Sequence, residues 1–129
     1  MNKIKKIKKS LCPVEGSFAD LSIFDFPGVY IIYDEKDDIV YVGSAYSRNI
    51  KDRLEQYKTK SKTGNTLANN ICKLDNNLKD SDMINDEQLT EAIEIIKKFK
   101  ILAIPHEDLE YKLIRENKPK YNLNGNKMK

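Results

Sequence analysis

Two short runs rich in valine, isoleucine and tyrosine, residues 28–33 and 39–43, flank an acidic turn, and no other feature restricts the fold of this chain as tightly. β-Branched and aromatic side chains on both sides of a polar turn predict an antiparallel hairpin, with Pro27 and Gly28 marking its entry. If the loop is Glu35 to Asp38, Asp34 faces Ile39, Ile32 faces Tyr41 and Tyr30 faces Gly43. Both tyrosines then share one face, and the glycine is expected to leave open space above the Tyr30 ring. A loop one residue longer or shorter would separate the tyrosines, and two ordinary strand aromatics are the plain alternative.

The rest of the chain supplies helices and one more strand. Phe18 to Phe26 is apolar without a clean period and reads as a short packed lead-in. Ser47 is a candidate cap for a helix running to about Lys58, with Ile50, Leu54 and Tyr57 at helical spacing. Arg53 lies three residues from Ile50 and four from Tyr57, on the border of that buried face. A loop with Lys58, Lys60, Lys62 and Gly64 leads to a helix from about Thr66 to Leu78. Its stripe Leu67, Ile71, Leu74 and Leu78 leaves Asn69, Asn70, Lys73, Asn76 and Asn77 outward. Outward asparagines are able to read adenine edges, or they simply reflect a chain rich in Asn and Lys. After a linker at Ser81 to Asp86, Leu89, Ala92, Ile93 and Ile96 predict a further helix. Phe99, Ile101 and Ala103 alternate with Lys100 and Leu102 in a third strand.

Charge matters here through its distribution. The 129 residues carry a formal net charge of +3, weak evidence by itself for a polyanionic partner. Lys3, Lys5, Lys6, Lys8 and Lys9 form a basic arm, either a solvated terminus or a phosphate-contacting one. Residues 1–17 are taken as that arm and lead-in, and residues 18–129 as one domain with a helical insertion at about 59–98. Of 23 basic residues only Arg48, Arg53 and Arg115 are arginines, so each is a candidate for bidentate geometry that lysine cannot supply. The alternative for Arg53 is a surface ion pair with Asp52 or Glu55. Cys12 and Cys72 form no CxxC pair, and with one histidine there is too little ligand for structural zinc, so reduced thiols are expected. No apolar run approaches the ~18 residues of a membrane span, and the basic start is not followed by an apolar core. A cytoplasmic location is the default expectation.

Pro105, with Glu107 and Asp108 in the first turn, opens a last helix that Pro119 closes. Leu109, Leu113 and Ile114 define its buried side, which puts the Glu110 carboxylate at the core boundary. A carboxylate there needs a partner, either a basic side chain or a divalent cation. His106, one turn earlier, serves the helix start or stands behind Glu110 as a supporting contact.

Gly28-Val29-Tyr30 and Tyr41-Val42-Gly43 resemble the paired signature of the GIY-YIG nucleases. Leu109 to Arg115, followed by Lys118-Pro119-Lys120-Tyr121-Asn122, resembles that family's closing segment. The resemblance covers most of residues 23 to 125 in the family's order. It implies a small α/β (α+β) fold, a three-stranded antiparallel sheet flanked by helices. It also implies a metal-dependent DNA endonuclease leaving 5′-phosphate and 3′-hydroxyl ends. Tyr30 and Tyr41 would be the site tyrosines, Arg53 the phosphate clamp, and Tyr57 the residue one turn later. Glu110 would be the ligand of Mg²⁺ or Mn²⁺, and Asn122 would steady the site. Gly43, Ser44, Arg48, Lys58, Lys60, Lys62 and Lys73 are the expected nucleic-acid contacts, with the space above Tyr30 admitting a substrate phosphate. One tyrosine, hydrogen-bonded to the other, would orient or deprotonate water, provided that Arg53 and the metal lower a phenol pKa of about 10.

The loop from Gly43 to Arg53 is about two residues longer than in compact members of the family, which puts the position of Arg53 in question. The partner expected is DNA, double-stranded or branched, with a homodimer or a targeting partner to supply specificity. A non-catalytic nucleic-acid or protein binding module on the same fold is the alternative.

Overall fold

The computed structural model describes residues 3–60, 65–79, 83–105 and 109–122. At its centre is the hairpin of β2 (Gly28–Tyr33) and β3 (Ile39–Ala45), which pairs Tyr30 with Gly43 and Ile32 with Tyr41. The register then slips, so that Ile39 meets Tyr33 and not Asp34. Asp34 is drawn into the turn, where its carboxylate accepts hydrogen bonds from the backbone N–H of Lys36 at 2.9 Å and of Asp38 at 3.0 Å. A side chain acting as a turn acceptor accounts for the slip.

The sheet has four strands where the sequence suggested three. β4 (Lys100–Ile104) pairs antiparallel with the other side of β2, and β1 (Val14–Ser17) pairs with β4, giving the order β1-β4-β2-β3. β1 escaped the sequence reading because Val-Glu-Gly-Ser is short and poor in strand-forming residues. Gly28 has φ +151°, and a Cβ there would collide with the Ile104 carbonyl and lie 2.9 Å from Pro105 Cα. Only glycine therefore lets β2 start this close to the end of β4.

Two apolar layers cover the sheet. On the front, Tyr30, Ile32, Tyr41 and Ile101 pack against α2 (Ile50–Gln56), α3 (Thr66–Asp75) and α4 (Asp86–Ile96), through residues such as Leu54, Leu67, Ile71, Leu89 and Ile96. On the back, Val29, Ile31, Tyr33, Val42, Leu102 and Ile104 meet α1 (Lys3–Leu11) and α5 (Glu110–Asn117). β2 is buried along its whole length, which explains why its sequence is a continuous apolar run.

Several expectations change in detail. Residues 3–11 of the basic arm form a helix, with Ile4 and Ile7 buried against the sheet. Asn49 occupies the N-cap of α2, not Ser47. In α3, Asn70 is buried and Leu74 is 42% exposed, the reverse of the predicted faces, because the helix ends at Asp75 and turns Asn70 toward the C-terminal segment. α4 starts with a capping box between Asn85 and Gln88. Among the described residues no helix is long and apolar enough to cross a membrane.

Candidate active site

Three tyrosines meet on the front of the hairpin. Tyr30 from β2, Tyr41 from β3 and Tyr57 at the end of α2 have ring centroids 6.5, 6.1 and 5.9 Å apart. The hydroxyls of Tyr30 and Tyr57 hydrogen-bond each other, so the partner of Tyr30 is Tyr57 and not Tyr41 as the family pattern suggested. Gly43 creates this arrangement in an unexpected way. A Cβ at Gly43 would strike the Tyr30 hydroxyl and lie 2.8 Å from its Cε2, so the space opposite Tyr30 is filled by its own ring. No phosphate can enter there. Glycine is required because the tyrosine lies across the strand.

Burial controls the titration of these phenols. It pushes the pKa of Tyr30, Tyr41 and Tyr57 above the ordinary value, and Arg53 pulls all three down without reversing the shift. The expected lowering by Arg53 is therefore present in sign and outweighed in size. All three hydroxyls stay neutral at pH 7.

Arg53 lies on the half-buried rim of α2, where its Nη1 donates to Gln56 Oε1 at 3.2 Å and its guanidinium sits 5.7 Å from the Tyr57 ring centroid. Burial works against its charge, but the Tyr57 and Tyr30 hydroxyls outweigh it and hold the pKa above its ordinary value. Glu55, one alternative ion-pair partner, lies 3.7 Å from Lys58 instead. The longer loop does not carry Arg53 away from the tyrosines. β3 runs on to Ala45, Ile50 N–H donates to the Phe26 carbonyl at 2.8 Å, and Asn49 Nδ2 donates to Asp25 Oδ1 at 2.5 Å. Those bonds tie the start of α2 to the strand entry.

Glu110 begins α5 in the back layer and meets β3, the end strand of the sheet, at Ser44. Ser44 Oγ donates to its Oε1 at 2.8 Å, and the carboxylate is close enough to raise the Tyr41 pKa. Ser44, expected among the nucleic-acid contacts, is thus the residue that holds Glu110. Asn122 acts on the same edge. Its Oδ1 accepts from Val42 N–H at 2.7 Å and its Nδ2 donates to the Val42 carbonyl at 2.8 Å, while Tyr121 N–H donates to the Val40 carbonyl at 2.8 Å. The asparagine amide therefore stands in for a strand residue and fixes the backbone between Tyr41 and Gly43.

The remaining expected contacts divide. Arg48 and Lys60 are exposed, whereas Lys58 lies 3.5 Å from the Phe18 carbonyl and near Glu55. Lys73 is half-buried on α3. Lys62 and His106 lie outside the described residues. Sequence reasoning missed Asn65, a fully buried residue whose Nδ2 donates to the carbonyls of Tyr57 at 2.8 Å and Thr59 at 2.9 Å. Its Oδ1 caps α3 at Ala68 N–H, so one side chain locks the end of α2 to the start of α3. An asparagine directly before Thr66-Leu67 is an N-cap signal that would have found it. Asn70 and Tyr121 were also missed as a pair: Asn70 Nδ2 donates to the Tyr121 carbonyl at 3.0 Å, and the Tyr121 hydroxyl donates to the Asp75 carboxylate at 3.1 Å.

A paired Gly-x-Tyr and Tyr-x-Gly hairpin, a helical arginine behind it and a helical glutamate at its edge define a nuclease-type domain. Residues 26–122 match the GIY-YIG catalytic domain, and the chain belongs to the GIY-YIG family. It is 34% identical over 97 residues to UvrABC system protein C of Clostridioides difficile (strain 630), a match covering 75% of this chain and 13% of that protein. It is 32% identical over 123 residues to UvrABC system protein C of Streptococcus sanguinis (strain SK36), covering 95% of this chain and 15% of that protein. The chain thus spans only a small part of the length of those relatives.

Proposed function

We propose that this chain hydrolyses phosphodiester bonds of duplex or branched DNA with one divalent ion, Mg²⁺ or Mn²⁺, leaving 5′-phosphate and 3′-hydroxyl ends. The observation that carries this reading is that Arg53 sits 5.7 Å from the Tyr57 ring of the tyrosine cluster, while Glu110 is held by Ser44 on β3, the strand that carries Tyr41. A cation clamp, a phenol and a carboxylate at one end of a hairpin suit in-line attack on a phosphate better than they suit passive binding.

The donor set suits Mg²⁺. No cluster of three or more His, Cys, Asp or Glu side chains occurs among the described residues, and Mg²⁺ at a phosphodiester needs only one or two carboxylates with water and phosphate oxygens. Glu110 would hold it with the oxygen that Ser44 leaves available. When bound, the ion supplies positive charge to the leaving 3′ oxygen. Arg53 binds the non-bridging oxygens, where charge develops in the transition state. Tyr41, at 8% exposure the most accessible of the three phenols, orients the attacking water through its neutral hydroxyl. Cutting both strands then takes a second copy of the chain or two successive nicks, because the described residues of each chain hold one such site.

Nicking of supercoiled plasmid by the purified chain with Mg²⁺, with Mn²⁺ and with EDTA tests the reading, alongside Glu110→Ala and Arg53→Ala. Metal-dependent nicking should vanish in Glu110→Ala and fall ~10²-fold or more in Arg53→Ala. Equal cleavage by wild type and Glu110→Ala would overturn the role of that residue. Salt-sensitive DNA binding without cleavage, on plasmid and on branched DNA alike, would make the chain a binding module.

A further inference from the structure

The excess positive charge of this protein resides in a single helix. α1 carries five lysines and no acidic residue, so of the 23 basic and 20 acidic residues in the chain, 18 and 20 remain elsewhere, a net −2 outside the helix. Lys3, Lys5, Lys6 and Lys9 are exposed, while Lys8 pairs with Glu15 at 2.8 Å. The first turn of α1 has no acidic residue, so Lys3, Lys5 and Lys6 crowd the positive end of the helix dipole.

The apolar side of the same helix is already occupied. Ile4 and Ile7 are 1% and 8% exposed and pack into the back layer with Val29, Ile31, Tyr33 and Leu113. A basic helix that binds a lipid surface needs a free apolar face to insert, and α1 has none to offer. What it presents is a row of charge: Lys3, Lys6 and Lys9 recur every third residue, spanning ~9 Å.

Its position relative to Glu110 completes the case. Lys3 and Lys6 line one groove with Lys36, Asp37, Asp38 and Asn117, so the start of α1 lies beside the last residue of α5. Glu110 is the first residue of α5, seven positions earlier, or ~10 Å along the helix axis. The major groove of B-DNA is ~12 Å wide. We propose that the lysine face of α1 is a second DNA contact, which grips phosphates across one groove from the scissile bond and supplies most of the electrostatic affinity for duplex.

This inference rests on the nuclease reading for its substrate, and it is tested separately from catalysis. Binding of the full chain carrying Glu110→Ala to a fluorescent duplex is titrated by anisotropy across a range of NaCl concentrations. The same titration is run with Lys3→Gln, Lys5→Gln, Lys6→Gln and Lys9→Gln added, with thermal unfolding to show that the variant is folded. The slope of log affinity against log salt should shrink by about 2 to 4, with a 10- to 100-fold loss of affinity at low salt. A control removing four lysines elsewhere, at Lys79, Lys97, Lys98 and Lys100, should change both far less. Equal losses from the two quadruple variants, or an unchanged slope in the α1 variant, would overturn the proposal. So would α1-dependent binding to phosphatidylserine vesicles with DNA binding intact, which would reassign the face to a membrane. A catalytically silent wild type that still shows the α1-dependent slope would refute the nuclease reading and leave this contact standing.

Discussion

The two faces of the sheet carry the two halves of the candidate site, and they are built from different materials. On the front, Tyr30 and Tyr57 are almost completely buried, their hydroxyls satisfy each other, and Arg53 closes the rim. At the back edge, Glu110 and Ser44 are only half-buried and joined by a single hydrogen bond. The front is therefore limited by packing and the back edge by electrostatics. A front substitution should disturb stability and rate together, whereas one at the back edge should disturb rate alone.

Gly43→Ala should have the largest effect. The new methyl would occupy the volume of the Tyr30 ring, which is 1% exposed and packs edge-on against Tyr57. Overpacking of this kind costs about 1–3 kcal/mol, and displacing a site side chain by about 1 Å costs ~10²-fold in rate. Urea unfolding and plasmid nicking measured on one preparation would show both losses. A variant as stable as wild type would mean that Tyr30 swings out at little cost, and the contrast between the faces would fail.

Tyr57→Phe should come next. It leaves the buried Tyr30 hydroxyl without its closest partner, at a cost of about 1–2 kcal/mol. The same variant has a pH signature. Phenols whose pKa is raised on folding stabilise the native state fully below the unfolded value of about 10, and that contribution is lost as pH climbs through the folded value. Thermal midpoints should therefore be flat in this respect from pH 6 to 9 and fall above about 10, less steeply in Tyr57→Phe than in wild type. An equal alkaline fall in both proteins would remove Tyr57 from that titration.

The hairpin, its tyrosine pairing and the helical positions of Arg53 and Glu110 were legible because each rests on local periodicity or on a motif at short range. Tyr30 opposite Gly43 was expected from a four-residue loop; the loop is one residue longer, and the irregularity between Ile32 and Tyr33 restores the pairing. What the glycine is for was not legible. Whether the space opposite Tyr30 stays open or takes the ring depends on side-chain direction, which α2 decides by offering the Tyr57 hydroxyl. β1 was hidden because its pairing with β4 joins residues more than eighty positions apart and its sequence carries little strand preference. The contacts that Ser44 and Asn122 make were not legible either. Their partners, Glu110 and Val42, lie 66 and 80 positions away, and only the packed fold brings them together.

Ser44→Ala sharpens the comparison from the other side, and its expected effect is the smallest. The hydroxyl lies at a half-buried edge, so removing it opens little volume and leaves no buried group that water cannot reach. Stability should change by less than about 0.5 kcal/mol. Without Ser44, Glu110 loses the bond that fixes its orientation, and supporting contacts of this kind are worth about 10-fold in metal affinity. Cleavage should therefore need ~10-fold more Mg²⁺ to reach the half-maximal rate and return close to the wild-type rate when the ion saturates. Ser44→Thr, which keeps the hydroxyl, should restore the wild-type titration. A rate defect that persists at saturating metal would place Ser44 against the DNA itself, and the back edge would then bind substrate in the direct way proposed for Arg53 on the front.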